Sequence, residues 1–105
     1  MNTQGWVRGL IAHNSQIDKF VYFVSNTISK EFNFQSKIVE NDNSYIFCFD
    51  MFTIEVLKSD IIKLQKKGPY ALDNYLLTNL KKKGLRIDIN RSQYIEYCFL
   101  SDVVD

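Results

Sequence analysis

Catalysis needs nucleophiles, titratable groups or metal donors held in company, and this chain supplies few that its spacing brings together. A relay built on Ser–His or Cys–His requires the imidazole beside a nucleophile and a third, orienting group. His13, the single histidine, lies in the lead-in to a helix, where a surface position is the expectation. Sequence leaves a spatial pairing with Cys48 or Cys98 open. The two cysteines sit inside aromatic runs, Phe47-Cys48-Phe49 and Tyr97-Cys98-Phe99, and read as buried thiols behaving as small hydrophobes. A disulfide or a metal pair is the other reading, but small secreted scaffolds usually carry more cysteines, and one histidine makes no zinc spacing.

Asp42, Asp50 and Asp60 are of the type that hard cations prefer, yet nothing in their spacing gathers them. The four glycines, Gly5, Gly9, Gly68 and Gly84, are dispersed, so no phosphate-cradling loop forms. No cofactor and no metal are expected, and the chain is not expected to be an enzyme. Asp73 is the one carboxylate in an odd place, falling between Leu76 and Leu77 on a helical wheel, inside an apolar arc where an unpaired charge is costly. Its place near a helix start lets the dipole or a tyrosine satisfy it. Otherwise it is a buried polar contact or part of a recognition pocket.

The elements that would position these groups can be taken in order. Residues 1–13, with Trp6 between Gly5 and Gly9, read as an edge strand or a loose arm. Ser15 with Asp18 three residues on resembles a capping box, and Ile17, Phe20, Val21, Val24, Ile28 and Phe32 fall in one arc, predicting a helix over 16–31. Lys19, Ser25, Asn26, Ser29 and Lys30 form its polar side. Gln35–Glu40, the turn-forming Asn41-Asp-Asn-Ser44 and Tyr45–Phe49 predict a hairpin. Phe52, Ile54 and Val56 alternate with Thr53 and Glu55 as in a half-buried strand, after a bend at Asp50-Met51. Whether 44–57 is one bent strand or two is open.

Ser59 is the expected N-cap of a helix over 60–66 that ends in two lysines and Gly68. Pro69 is placed first in a second helix, 69–83, with Leu72, Leu76, Leu77 and Leu80 as its buried stripe and Lys81, Lys82, Lys83 and Gly84 as its stop. Leu85-Arg-Ile-Asp-Ile89 alternates as a strand, 90–93 reads as a turn, and 94–100 as a returning strand, although Ser92 could instead cap a short helix. Residues 101–105 read as a frayed tail. The fold class expected is α+β: an N-terminal amphipathic helix, an antiparallel sheet of three to five strands, two consecutive helices and a C-terminal β-hairpin, in one domain of 105 residues.

With 46% hydrophobic and 14% aromatic residues the chain can offset its conformational entropy, so disorder is not expected. No window approaches the roughly 18 apolar residues of a membrane span, and no signal-like segment opens the chain, so a cytoplasmic protein is expected. Abundant Asn, Lys, Ile, Phe and Tyr, with alanine only at Ala12 and Ala71, is the usage of a low-GC coding sequence of bacterial or phage type.

Net charge is +1, but it is segregated. Residues 1–57 carry four basic and six acidic groups, 58–86 eight and two, and 87–105 one and four. A solvated lysine face accounts for such a block, and the chain lacks the basic excess of a dedicated nucleic-acid binder.

Two functional readings follow. The first is a small non-catalytic regulator of inhibitor, immunity-like or adaptor type, meeting an unidentified protein partner through aromatic residues, with Trp6, Tyr70, Asp73 and Tyr75 as candidates and Tyr22, Tyr94 and Tyr97 in reserve. The second rests on the order helix, turn, helix, strand, turn, strand across 59–100, which is that of a winged helix. There Asn74, Thr78 and Asn79 would reach base edges, Lys81, Lys82, Lys83, Arg86 and Arg91 would meet phosphates, and 90–92 would be the wing tip. Against it, the cations gather at the C-terminal end of the helix, whereas a helix-turn-helix reads bases with its N-terminal residues.

Overall fold

The computed structural model describes residues 17–100; the N-terminal arm with Trp6 and His13, the Ser15 cap and the tail 101–105 lie outside the described residues. Helix α1 spans Ile17–Phe32, and the three strands are β1 (Ser36–Glu40), β2 (Ser44–Phe49) and β3 (Phe52–Leu57). They are followed by α2 (Lys58–Lys67), α3 (Ala71–Lys82) and the short α4 (Gln93–Cys98). The protein is α+β, as its patterning implied. Among the described residues no helix is long and apolar enough to cross a membrane.

The apolar arc of α1 is buried as its 3.6-residue spacing requires, with Phe20, Val21, Val24 and Ile28 fully covered. Ser25, expected on the polar side, is buried with them. The sheet is antiparallel in the order β1-β2-β3. Pairings Ser36 with Phe49 and Phe49 with Phe52 fix its register. Tyr45, Phe47 and Phe49 of β2 enter the core while Ile46 and Cys48 stay half-buried on the other face, the period of two expected of a strand. Cys48 is thus only half-buried, and neither it nor the buried Cys98 is in a disulfide.

Two strands, not one bent strand, occupy 44–57. Asp50 turns the chain with φ 50, its carboxylate accepting from the Gln35 amide at 2.8 Å while its own amide donates to the Gln35 carbonyl at 2.9 Å. Asp50 is therefore spent on a turn. Among the described residues no group of three or more His, Cys, Asp or Glu could hold a metal, so Asp42, Asp50 and Asp60 do not converge.

Helices α1 and α3 stop in the same way. The Phe34 amide reaches back to the Ser29 carbonyl (2.9 Å) with Asn33 at φ 57, and the Leu85 amide reaches the Leu80 carbonyl (3.0 Å) with Gly84 at φ +113. Both are six-to-one closures with a left-handed residue, and in both the following side chain, Phe34 or Leu85, packs on the core. Phe34 then lies against the rings of Phe32 (5.5 Å), Phe49 (6.1 Å) and Phe52 (6.1 Å), tying helix end to sheet end.

Local details of the middle helices differ from expectation. Strand β3 runs directly into α2, with Leu57 at the cap position and no side-chain bond there, so Ser59 caps nothing. Pro69 lies outside α3, in the turn ahead of Tyr70, because the chain must still redirect before Ala71. At the opposite end of the sheet Lys58 donates to Glu40 at 2.7 Å and lies 5.3 Å from the Tyr45 ring centre, closing the junction of β1, β2 and α2. Burial pushes the Tyr45 phenol above its ordinary 10.0, Glu40 adding to the shift and Lys58 opposing it.

The C-terminal hairpin does not form. Leu85 and Ile87 do turn toward the core and Arg86 and Asp88 away, but the segment pairs with no strand among the described residues. A tight turn explains the break: the Asp88 side chain accepts from the Asn90 amide (2.9 Å) and its carbonyl from the Arg91 amide (3.0 Å). Ser92 then caps a helix through its hydroxyl, which accepts from the Ile95 amide at 3.2 Å. Tyr94, Ile95, Cys98 and Phe99 are buried at helical, not alternating, spacing.

The two interhelical glycines respond differently to alanine. Gly84→Ala places a Cβ on a left-handed backbone and should lower stability by about 1 kcal/mol. Gly68, at φ 169 and with open space around it, should accept alanine with a change below about 0.5 kcal/mol. Urea midpoints of the two variants check this; equal losses would contradict the helix-stop geometry.

Candidate functional site

The leucine stripe of α3, Leu72, Leu76, Leu77 and Leu80, is fully buried and holds that helix against the core. Its first turn carries Asp73, which is also fully buried. The Tyr94 hydroxyl of α4 donates to Asp73 Oδ2. The tyrosine reading of Asp73 is thus correct, and its position in the first turn adds the favourable helix dipole. One residue on, Asn74 Nδ2 donates to the Cys98 carbonyl at 2.8 Å. Both ends of α4 are therefore pinned to the start of α3.

This pinning creates a groove. The end of α2, the Gly68-Pro69-Tyr70 turn, the outer face of α3 and the end of α4 enclose a cavity of about 630 Å³. Leu64, Pro69, Ala71 and Leu100 supply aliphatic surface; Tyr70, Tyr75 and Tyr97 supply rings; Asn74, Thr78 and Asn79 supply polar atoms; Lys67 and Lys82 stand at helix ends. Tyr70 lies 5.7 Å from Tyr97 and 6.3 Å from Tyr94, both tilted, so the wall of the groove continues inward to the Asp73 bond. Asn79 is held by its own helix, Nδ2 donating to the Tyr75 carbonyl at 2.8 Å.

The two candidate sets overlap here in a way that spacing did not reveal. Tyr70 and Tyr75 from the protein-binding set share the groove with Asn74, Thr78 and Lys82 from the nucleic-acid set, the last three following each other at four-residue intervals along α3. Asp73 lies behind the wall rather than in the groove. Tyr97, held in reserve for the protein-binding reading, joins this groove, whereas Leu64 and Leu100 were not singled out because they come from α2 and from beyond α3 and meet the others only in the fold. Trp6 lies outside the described residues.

The remaining cations disperse. Arg91, assigned to a wing tip, instead clamps the 85–92 segment onto α1: its Nε meets Glu31 Oε2 at 2.8 Å, its guanidinium donates to the Glu31 carbonyl at 3.0 Å, and it stacks 4.4 Å from the Phe32 ring centre. Lys81 covers Phe99 at 5.2 Å. Lys83 and Arg86 are exposed. With neither hairpin nor wing, the topological basis of a winged helix is missing from the described residues.

The chain matches no model of a protein family, no curated protein and no solved structure.

The Asp73–Tyr94 bond is testable by its asymmetry. Tyr94→Phe removes the donor and leaves the carboxylate buried, and should cost about 1–3 kcal/mol. Adding Asp73→Leu to Tyr94→Phe should recover part of that loss, since it also removes the buried carboxylate that has lost a donor. A double-mutant cycle in urea reads the coupling; additive losses would show that the two side chains do not depend on each other.

Proposed function

We propose that this protein is a small non-catalytic binding module, of inhibitor, immunity-like or adaptor kind, whose groove between α2, α3 and α4 receives a segment of another protein. The observation that carries this reading is the groove itself: a concavity of about 630 Å³ with three tyrosines and a few convergent polar groups. Tyrosine offers large contact area at low entropy cost and dominates many interface hot spots. Tyr75, at 36% exposure, and Leu100, at 54%, present apolar surface that no described element covers.

The second reading, a nucleic-acid regulator, keeps one specific support, the run of exposed cations Lys81, Lys82, Lys83 and Arg86. The run follows the C-terminal end of α3, the wrong end of the helix for reading bases. Arg91 and Asn74 are already engaged within the protein. The groove therefore carries more of the argument than the lysines do.

Two measurements separate the readings. Peptides selected from a displayed random library should shift backbone amide resonances of α3 and α4, and Tyr75→Ala should weaken the best of them about tenfold or more without unfolding the protein. Duplex DNA titrated at about 50 and 200 mM salt should show weak binding; tight binding with a steep salt slope would replace the protein-partner reading with the nucleic-acid one.

A further inference from the structure

We infer that the segment received by the groove is acidic, with aliphatic or aromatic anchors between its carboxylates; this rests on the groove being a protein-binding site. Every charged side chain lining the groove has the same sign. Lys67 closes α2 and Lys82 closes α3, and among the described residues no aspartate or glutamate lines the groove. Both lysines are exposed. Among the described residues neither forms an ion pair, whereas Lys58 is bound to Glu40 and Arg91 to Glu31. The groove thus presents uncommitted positive charge around an apolar, tyrosine-lined floor.

A ligand must satisfy both features. A purely apolar segment would fill the floor but leave the two ammonium groups without a counter-charge, and a basic one would be repelled. A segment with carboxylates flanking apolar side chains matches the lysines at the rim and the rings at the floor. A nucleic acid also brings anions, but single strands are held along continuous cationic tracks with open aromatic faces on which bases stack. Here only two cations line the groove, and the Tyr70 and Tyr97 rings are tilted against each other at 40° rather than left as free platforms.

Fluorescently labelled ten-residue peptides with leucine and phenylalanine anchors, carrying glutamate, glutamine or lysine at the intervening positions, test the inference beside a decathymidine oligonucleotide. The acidic peptides should bind best and the lysine peptides worst, with Lys67→Gln and Lys82→Gln each weakening the acidic series about two- to fivefold. The combined Lys67→Glu and Lys82→Glu variant should invert the order. The preference should shrink in about 0.5 M salt, where screening shortens the reach of charge. Tyr75→Ala should weaken every series alike. Amide spectra confirm that each variant is folded. Binding that is indifferent to peptide charge yet lost in Tyr75→Ala overturns the acidic partner and leaves the groove standing. Failure of all three series to bind, or tighter binding of the oligonucleotide, overturns both.

Discussion

The bond from the Tyr94 hydroxyl to the buried Asp73 carboxylate is the constraint on which the C-terminal half is arranged. A carboxylate among leucines has few tolerable surroundings: it needs a donor, and it benefits from the amide dipoles of a first helical turn. The Tyr94 hydroxyl, arriving from outside α3, supplies such a donor without bringing a second charge into the core. The bond therefore sets where α4 sits and which way it faces. Together with the Asn74 bond to the Cys98 carbonyl it leaves α4 little freedom. Buried polar pairs often contribute no more to stability than equal apolar volume, and in some proteins their effect is to select one arrangement over others, the role we propose for this one. What is selected here is the groove, since the Tyr94 ring leans on Tyr70 and Tyr70 on Tyr97.

A second constraint comes from the way the chain leaves its helices. The closures after α1 and α3 send Phe34 and Leu85 back into the core, so each exit is anchored by apolar burial and not merely by backbone geometry. The chain then runs from Leu85 without regular structure into the turn at Ile89, until Arg91 fastens it to Glu31 and Phe32 at the end of α1. A guanidinium held by a carboxylate, a backbone carbonyl and a ring at once is a structural clamp. Its position near a turn, which made it look like a ligand contact, is what allows it to reach a distant helix.

These elements show what kinds of information the sequence carries. Helix α1 and the extended segments 36–40 and 44–57 were legible because their patterns are local and their flanking residues agree with them, while the break of 44–57 into two strands was not, since it rests on the contact of Asp50 with Gln35. The burial of Asp73 was legible from the wheel alone, and its tyrosine partner was among the explanations. Helix α4 was not, because Tyr94–Leu100 is rich in residues that favour strands and follows a segment that alternates. The deciding signs were the Ser92 cap and the spacing of Tyr94, Ile95, Cys98 and Phe99, which outweigh composition once those side chains pack on α3. The groove was hidden for another reason: its walls come from residues 64–70, 71–82 and 97–100, and nothing local in sequence joins them.

The lysines at the helix ends illustrate how structural and recognition roles can coincide. A cation in the last turn of a helix gains about 0.3–1 kcal/mol from the dipole, which explains Lys67 and Lys82 without any ligand. That explanation does not remove them from the groove, because both helix ends point to its rim. An exposed ion pair with a ligand is worth about as much as the dipole interaction, so charge alone cannot generate tight binding there. For the proposed ligand the larger contribution would come from covering Tyr70, Tyr75 and Tyr97, with the lysines discriminating by the sign of its charge. On the proposed reading, an aromatic floor and a cationic rim divide the labour, so that the groove would select for ligand chemistry even though each individual contact is ordinary.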